Sequence, residues 1–439
     1  MLVESGAPAT TAANAAQLLS RAAVRATTLA NGLQLIVWPS DAIPNVVLNN
    51  WVRAGSRNES QGNTGLAHFF EHMMFNGTAR RRPGEFDRLM EARGGSNNAY
   101  TSDDVTVYQD WFPREALELM FDLESDRIAN LSFIPDLIES ERGVVYSERR
   151  LCVDDNNAGL LSERVQAAAF VTHPYRFPTI GQPADIQSWS MADLQRFFRT
   201  YYAPNNLTFV LAGDVQPQEV LRLARKYLEP IARGESPPAV RVREPEQLGE
   251  RRVSLRRKGR TPLLQYAFKA PAAADRRGPA VNLLLATLVE GDGSRLHRVL
   301  VEQRKLAVEV SGEWQQGFDP GLLWLHLTLP EGVEPTSVER AVDAELARIA
   351  AQGVTQAELE RAKNLVAASF WKQLATIDGR AHLLGEYELL RGGWRSLFDV
   401  PQRYQAVTCA EVAAVARRVL DPRRRTVGVL TPIGAVARP

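Results

Sequence analysis

The run TGLAHFFEHMMFNG, residues 64–77, holds the residues most able to do chemistry. On a helix of 3.6 residues per turn, His68, Glu71 and His72 share one face, while Leu66, Phe69, Phe70 and Met73 cover much of the remainder. A helix that is nearly all buried must find a partner for three polar side chains on one stripe. A metal ion satisfies them directly, because histidines at i and i+4 both reach one Zn²⁺. Glu71 then lies beside the ion without ligating it, placed to take a proton from an attacking water and pass it to a leaving amine. The order H-x-x-E-H is the inverted form of a zinc peptidase signature. Thr64 is expected to cap this helix and Gly77 to end it in the left-handed conformation.

A third ligand is expected on a helix over 136–150, which offers Glu139, Glu141 and Glu148. Glu141 and Glu148 share a face but sit roughly 10 Å apart along the axis, so both cannot bind one ion. One would ligate and the other would orient the ligands. Spacing alone does not choose between them.

The elements that must position these residues come from a chain of 439 residues, 45% hydrophobic and 23% charged, which excludes a disordered or collagen-like protein. With 52 Lys and Arg against 51 Asp and Glu, the net charge of +1 gives no case for a nucleic-acid partner. No apolar run reaches the length of a membrane span. Residues 1–19 lack a basic stretch leading into an apolar one, so they do not read as a signal peptide. Cys152 and Cys409 form no metal motif and are expected as two free, buried thiols. No G-x-G-x-x-G or Walker motif is present.

Two segments match each other. Ser190 opens a helix that leads to Pro204 and a β-rich stretch, and Thr408 opens one that leads to Pro422 and another. In each, the first residue suits an N-cap with an acid three residues on, and the proline ends the helix. The stretch 229–250, with Gly234, Pro237, Pro238 and Pro245, reads as a linker. The chain therefore reads as an old duplication, with halves at 26–232 and 251–439 joined by 233–250. Strands are expected at 33–38, 46–52, 105–111, 263–268 and 322–329. Strand pairs preceding helices favour an α+β class.

These motifs together resemble the pitrilysin–insulysin family of inverted zinc peptidases, closest to the branch of mitochondrial processing peptidase and its bacterial relatives. The resemblance starts at Gly32 and Leu33. It takes in Gly55-Ser56, the run 65–78, Gly95-Ser96-Asn97-Asn98-Ala99-Tyr100-Thr101, Glu141-Arg142-Gly143-Val144-Val145, His173-Pro174-Tyr175 and Tyr202-Ala203-Pro204. It implies two similar domains, each an antiparallel sheet packed with α-helices, that form half of a clam-shaped chamber. It implies one zinc per chain held by His68, His72 and Glu148, with Glu141 behind them and Glu71 as base. Asn98 and Ala99 match the family's edge strand, which pairs with the backbone of peptide substrates. His173, His297, His326 and His382 match no metal spacing and are read as structural.

One departure stands out. The Arg and Tyr with which active members bind substrate and stabilise the transition state fall here on Val301 and Val308, and Arg298 and Arg304 are out of register. Valine offers a developing oxyanion neither charge nor a hydrogen bond. The reading is a zinc endopeptidase subunit whose Arg and Tyr come from a homologous partner chain, as a heterodimer. The competing readings are a self-sufficient homodimeric peptidase and a non-catalytic scaffold. The resemblance to exported two-chain bacterial members points to the periplasm; with Met1 as the native start the reading is cytoplasmic instead.

Overall fold

A computed structural model describes residues 23–433, so the segment 1–19 weighed as an export signal lies outside the described residues. The first sheet takes β1 (Arg25–Thr28), β2 (Gln34–Pro39), β3 (Asn45–Val52), β4 (Ser96–Thr101), β5 (Thr106–Pro113) and β6 (Leu207–Gly213), in the order β1-β2-β6-β3-β5-β4. The second takes β7 (Arg251–Lys258), β8 (Leu263–Lys269), β9 (Glu309–Trp314), β10 (Leu322–Thr328) and β11 (Arg425–Ile433), in the order β7-β11-β8-β10-β9. Helices pack on both, which gives the α+β class that the strand and helix pattern implied.

The matching segments occupy matching slots. Ser190 and Thr408 each close a capping box, with Asp193 and Glu411, on helices Met191–Tyr201 and Cys409–Val419. Short 3-10 turns at Pro204–Asn206 and Pro422–Arg424 then deliver β6 and β11. Each delivered strand runs parallel to one neighbour, β2 or β7, and antiparallel to the other, β3 or β8. The sheets are thus antiparallel apart from one parallel pair each, because the last strand of each half returns through a helix rather than a hairpin. β4 and β9 fall at corresponding edges.

Each sheet buries one face under its own half and the other under a helix from the opposite half. Helix Ile377–Leu390 lies on the first sheet, where Leu383, Leu384 and Tyr387 join Val47, Trp51 and Val210 in one core. Helix Asn157–Ala169 lies on the second, where Leu161 and Val165 meet Ala267, Trp324 and Leu430. Both approaches are close. A Cβ on Gly385 would stand 2.1 Å from the Trp51 ring, and one on Gly428 would stand 2.3 Å from Val165 Cγ2. The segment 233–250 carries neither helix nor strand. It is nonetheless tied down, since the Glu244 carboxylate accepts backbone N–H groups of Val171 at 2.8 Å, Thr172 at 3.0 Å and His173 at 3.1 Å.

Both cysteines are free, but neither is buried as expected: Cys152 is exposed and Cys409 half-buried. Cys152 sits in the π-helical turn Arg150–Asp154, no residue of which is buried.

Candidate metal centre

The histidine helix spans Leu66–Met73 and buries Leu66, Ala67, His68, Phe69, Phe70 and Met73. Its apolar side is held by rings: Phe69 meets Trp189 at 5.0 Å and Phe70 stacks on Phe197 at 5.5 Å between centroids. Thr64 does not cap it. The N-cap is Gly65, at φ 90°, and Thr64 Oγ1 instead donates to Asp185 Oδ2 at 2.6 Å. The orphan donors of the first turn are met by a residue the sequence reading missed. The buried Glu59 carboxylate accepts the N–H groups of Gly65 and Ala67, both at 2.7 Å. Burial pushes the Glu59 carboxyl up to about 8, and its two hydrogen bonds at the helix N-terminus fix where the helix begins and so where both histidines point. Gly77 does have positive φ, 95°, but it lies in the turn beyond the helix end rather than at its cap.

The glutamate helix spans Pro135–Arg149, with proline at its first turn, where a missing N–H costs nothing. Arg142 donates to the carbonyls of Ile186 and Trp189, and buried Arg149 donates to Glu163 Oε2 at 2.8 Å and the Gly181 carbonyl at 2.7 Å. These anchors set the rotation of the helix and so decide which glutamate faces which histidine.

Glu148 Oε2 lies 3.3 Å from His72 Nε2 and 3.6 Å from His68 Nε2. Glu141 stands behind His72 instead, with Oε1 at 2.7 Å from Nδ1, while Asn76 Nδ2 donates to its other oxygen at 2.5 Å. Glu139 is at the surface, paired with Arg142 at 3.2 Å. Among the described residues, His68, His72 and Glu148 form one group of donor atoms that all lie within 4.8 Å of each other. Two imidazoles and a carboxylate at that spacing suit an ion with bonds of roughly 2.0–2.1 Å, and the donor types are those of a catalytic zinc site. The residues present therefore fit zinc.

Charge in the site fits the same use. Burial, with the charge on His72, holds His68 down to about 4 against the pull of Glu148, so its lone pair is available at neutral pH. Burial works against the charged form of His72 as well, but Glu141 and Glu148 outweigh it and lift that imidazole to about 9. At pH 7 the metal-free chain therefore holds one proton on His72 that an incoming ion must displace. Zinc binding is expected to release about one proton per chain, and affinity to fall about tenfold for each pH unit below about 9. Calorimetric titration with zinc in buffers of different ionisation enthalpy measures the released proton.

Glu71 faces the same space without belonging to the donor group. Burial pushes its carboxyl up, and a hydrogen bond from Thr101 pulls it back. A cavity of about 520 Å³ opens beside it, lined by Glu71, His72, Phe75, Glu141, Asn98 and Ala99. Asn98 and Ala99 lie on β4, which among the described residues pairs with β5 alone and leaves its other edge open. An open edge beside such a cluster of donor atoms can hold an extended chain by main-chain hydrogen bonds.

The remaining residues fall elsewhere. Val301 lies in the π-helical turn His297–Gln303, packed partly on the hydrophobic core of the second half, and Val308 is 61% exposed. His173 bonds Asp319, His297 meets the Asp292 carbonyl, His326 stacks on Trp324, and His382 packs on Trp51 and Tyr100. None of these four joins the metal group. Three contributors were missed. Asn76 and Thr101 lie inside the recognised runs, and only their neighbours drew notice. Glu59 gave no local signal, because it reaches the helix from a preceding loop.

Comparison with known proteins agrees with this layout. Residues 36–182 match the family model described as Insulinase (Peptidase family M16), and residues 188–366 match Peptidase M16 inactive domain. The chain is 29% identical to the zinc protease PqqE of Helicobacter pylori over 409 residues, 92% of each chain. It is 26% identical to the mitochondrial-processing peptidase subunit beta of Blastocladiella emersonii, over 98% of this chain and 93% of that one. The crystal structure of a protease from Helicobacter pylori superposes with a TM-score of 0.90 at 28% identity, covering 93% of this chain and 99% of that one. Among the described residues, no helix is long and apolar enough to cross a membrane.

Proposed function

Because the chain belongs to the insulinase family, peptidase family M16, on the mitochondrial-processing-peptidase-like branch, we propose that it is the zinc-bearing subunit of a two-chain endopeptidase acting on unfolded peptides. The observation that carries this reading is the convergence of His68, His72 and Glu148 within 4.8 Å, beside the open edge of β4. Residues 26–232 are the metal-bearing half, 233–250 the connection, and 251–439 a second half without the Arg and Tyr. We place the subunit in the periplasm, in keeping with the exported two-chain members that its motifs resemble.

Zinc held by His68, His72 and Glu148 would supply Lewis acidity, lowering the pKa of water to about 7 and polarising the scissile carbonyl. Glu141 fixes the ring of His72 through Nδ1, and Asn76 fixes Glu141 in turn. The peptide adds to β4 at Asn98 and Ala99 as a further strand, a mode that reads backbone rather than sequence. Glu71 takes the proton of the attacking water at the oxygen that Thr101 leaves open and returns it to the leaving amine. Only an extended stretch of chain can pair with the strand, so folded proteins are poor substrates. A partner chain supplies the Arg and Tyr that Val301 and Val308 replace.

Elemental analysis of the purified chain tests the metal assignment. About one zinc per chain is expected, and replacing both His68 and His72 by alanine should abolish it. A double variant that keeps its full zinc would contradict the reading.

A further inference from the structure

We propose that Thr101 is a positioning residue that couples peptide docking on β4 to the orientation of Glu71, an inference that rests on Glu71 being the base proposed above. Thr101 is the last residue of β4, the strand that also carries Asn98 and Ala99. Its Oγ1 donates to Glu71 Oε2 at 2.6 Å. The direction of that bond follows from the neighbouring groups. The other hydroxyl in reach, Thr106 Oγ1 at 3.3 Å, is fully buried and gives its own proton to the Ala54 carbonyl at 3.0 Å. The proton of Thr101 is therefore free for the carboxylate, which can only accept.

The hydroxyl is also held in place from behind. Thr101 pairs with Thr106 across β4 and β5, and the Ser102 N–H bonds the Val105 carbonyl at 2.8 Å to close the turn. The Asp104 carboxylate in that turn accepts Tyr175 Oη at 2.7 Å and the backbone N–H of Phe318 at 3.1 Å. Phe318 comes from the loop between β9 and β10, so the second half of the chain clamps the end of the substrate strand. The strand that grips the peptide thus also grips the base. One carboxylate oxygen is pinned by Thr101, and the other is left to accept a proton.

Thr101→Val keeps the size and β-branching of the side chain but removes the donor, so Glu71 is free to rotate. A displacement of about 1 Å at a reacting group costs on the order of 10²-fold in rate. With the chain assembled with its Arg- and Tyr-bearing partner, kcat for an unfolded peptide should fall about 10- to 100-fold in Thr101→Val. KM and zinc content should stay as in the wild type, and Thr101→Ser should recover most of the loss. A merely structural threonine would move KM, zinc or melting temperature instead, and serine would not rescue kcat selectively. Crystal structures of the two variants give a readout that needs no partner and no activity. Glu71 should leave its wild-type position in Thr101→Val and keep it in Thr101→Ser. Wild-type kcat in Thr101→Val, a loss lying wholly in KM or zinc, or an unmoved Glu71 would overturn the coupling. Failure of the base assignment looks different: Glu71→Gln would then be active, whereas failure of the coupling alone pairs an inactive Glu71→Gln with a fully active Thr101→Val.

Discussion

Replacing Glu71 with glutamine is expected to leave a chain that binds zinc normally and no longer cuts peptides. Glu71 stands outside the cluster formed by His68, His72 and Glu148, so the ion loses no ligand. Glutamine has the same shape, and its amide oxygen can still accept the Thr101 hydroxyl that now reaches Glu71 Oε2. What it cannot do is take a proton. General-base catalysis of this kind contributes about 10²- to 10⁴-fold, so turnover by the assembled enzyme should fall by that factor. Substitutions on the glutamate helix should divide differently. Glu148→Gln removes a charged ligand and should weaken zinc binding itself. Glu141→Gln leaves the ligands in place but loosens His72 Nδ1, now 2.7 Å from Glu141, and should cost about 10- to 100-fold in affinity. Zinc content and initial rates measured on the same preparations separate the three. A Glu71→Gln enzyme with full activity would remove the base from the mechanism.

Spacing along single helices made the shared face of the two histidines legible. His68, Glu71 and His72 had to share a face, and the helix at Pro135–Arg149 had to present Glu141 and Glu148 on one side. The choice between those glutamates was not legible from spacing. It depends on how one helix is rotated against another, and Arg142 and Arg149 set that rotation through partners at Ile186, Trp189, Glu163 and Gly181. The capped helices at Ser190 and Thr408 could be read because a capping box is local, spanning four residues. The cap on the histidine helix could not, since Glu59 reaches it from a loop and leaves Thr64 to Asp185. Nor does an amphipathic pattern say which sheet a helix covers. Nothing local in 377–390 announces that this helix lies on the first sheet, with Gly385 against Trp51. The Thr101–Glu71 bond was hidden for the same reason, because it joins a strand and a helix that only the folded chain brings together.

Alone, this chain is expected to bind zinc and hydrolyse peptides poorly. On the proposed function Glu71 can accept a proton, but Val301 and Val308, one packed partly on the core of the second half and the other exposed, stand where the resemblance puts the Arg and Tyr that hold the carbonyl. Losing one donor to a developing oxyanion costs about 10²- to 10³-fold, so the loss of both groups should be severe. A homologous chain that retains the Arg and Tyr should restore turnover by at least that factor. Changing that partner's Tyr to Phe should abolish the gain. Activity titration of this chain with such a partner, read beside the mass of the complex in solution, tests the account most directly. The account predicts near-zero activity without the partner, a rise that plateaus at one partner per chain, and a heterodimeric mass. Full activity from this chain alone, in a preparation free of any partner, would contradict it.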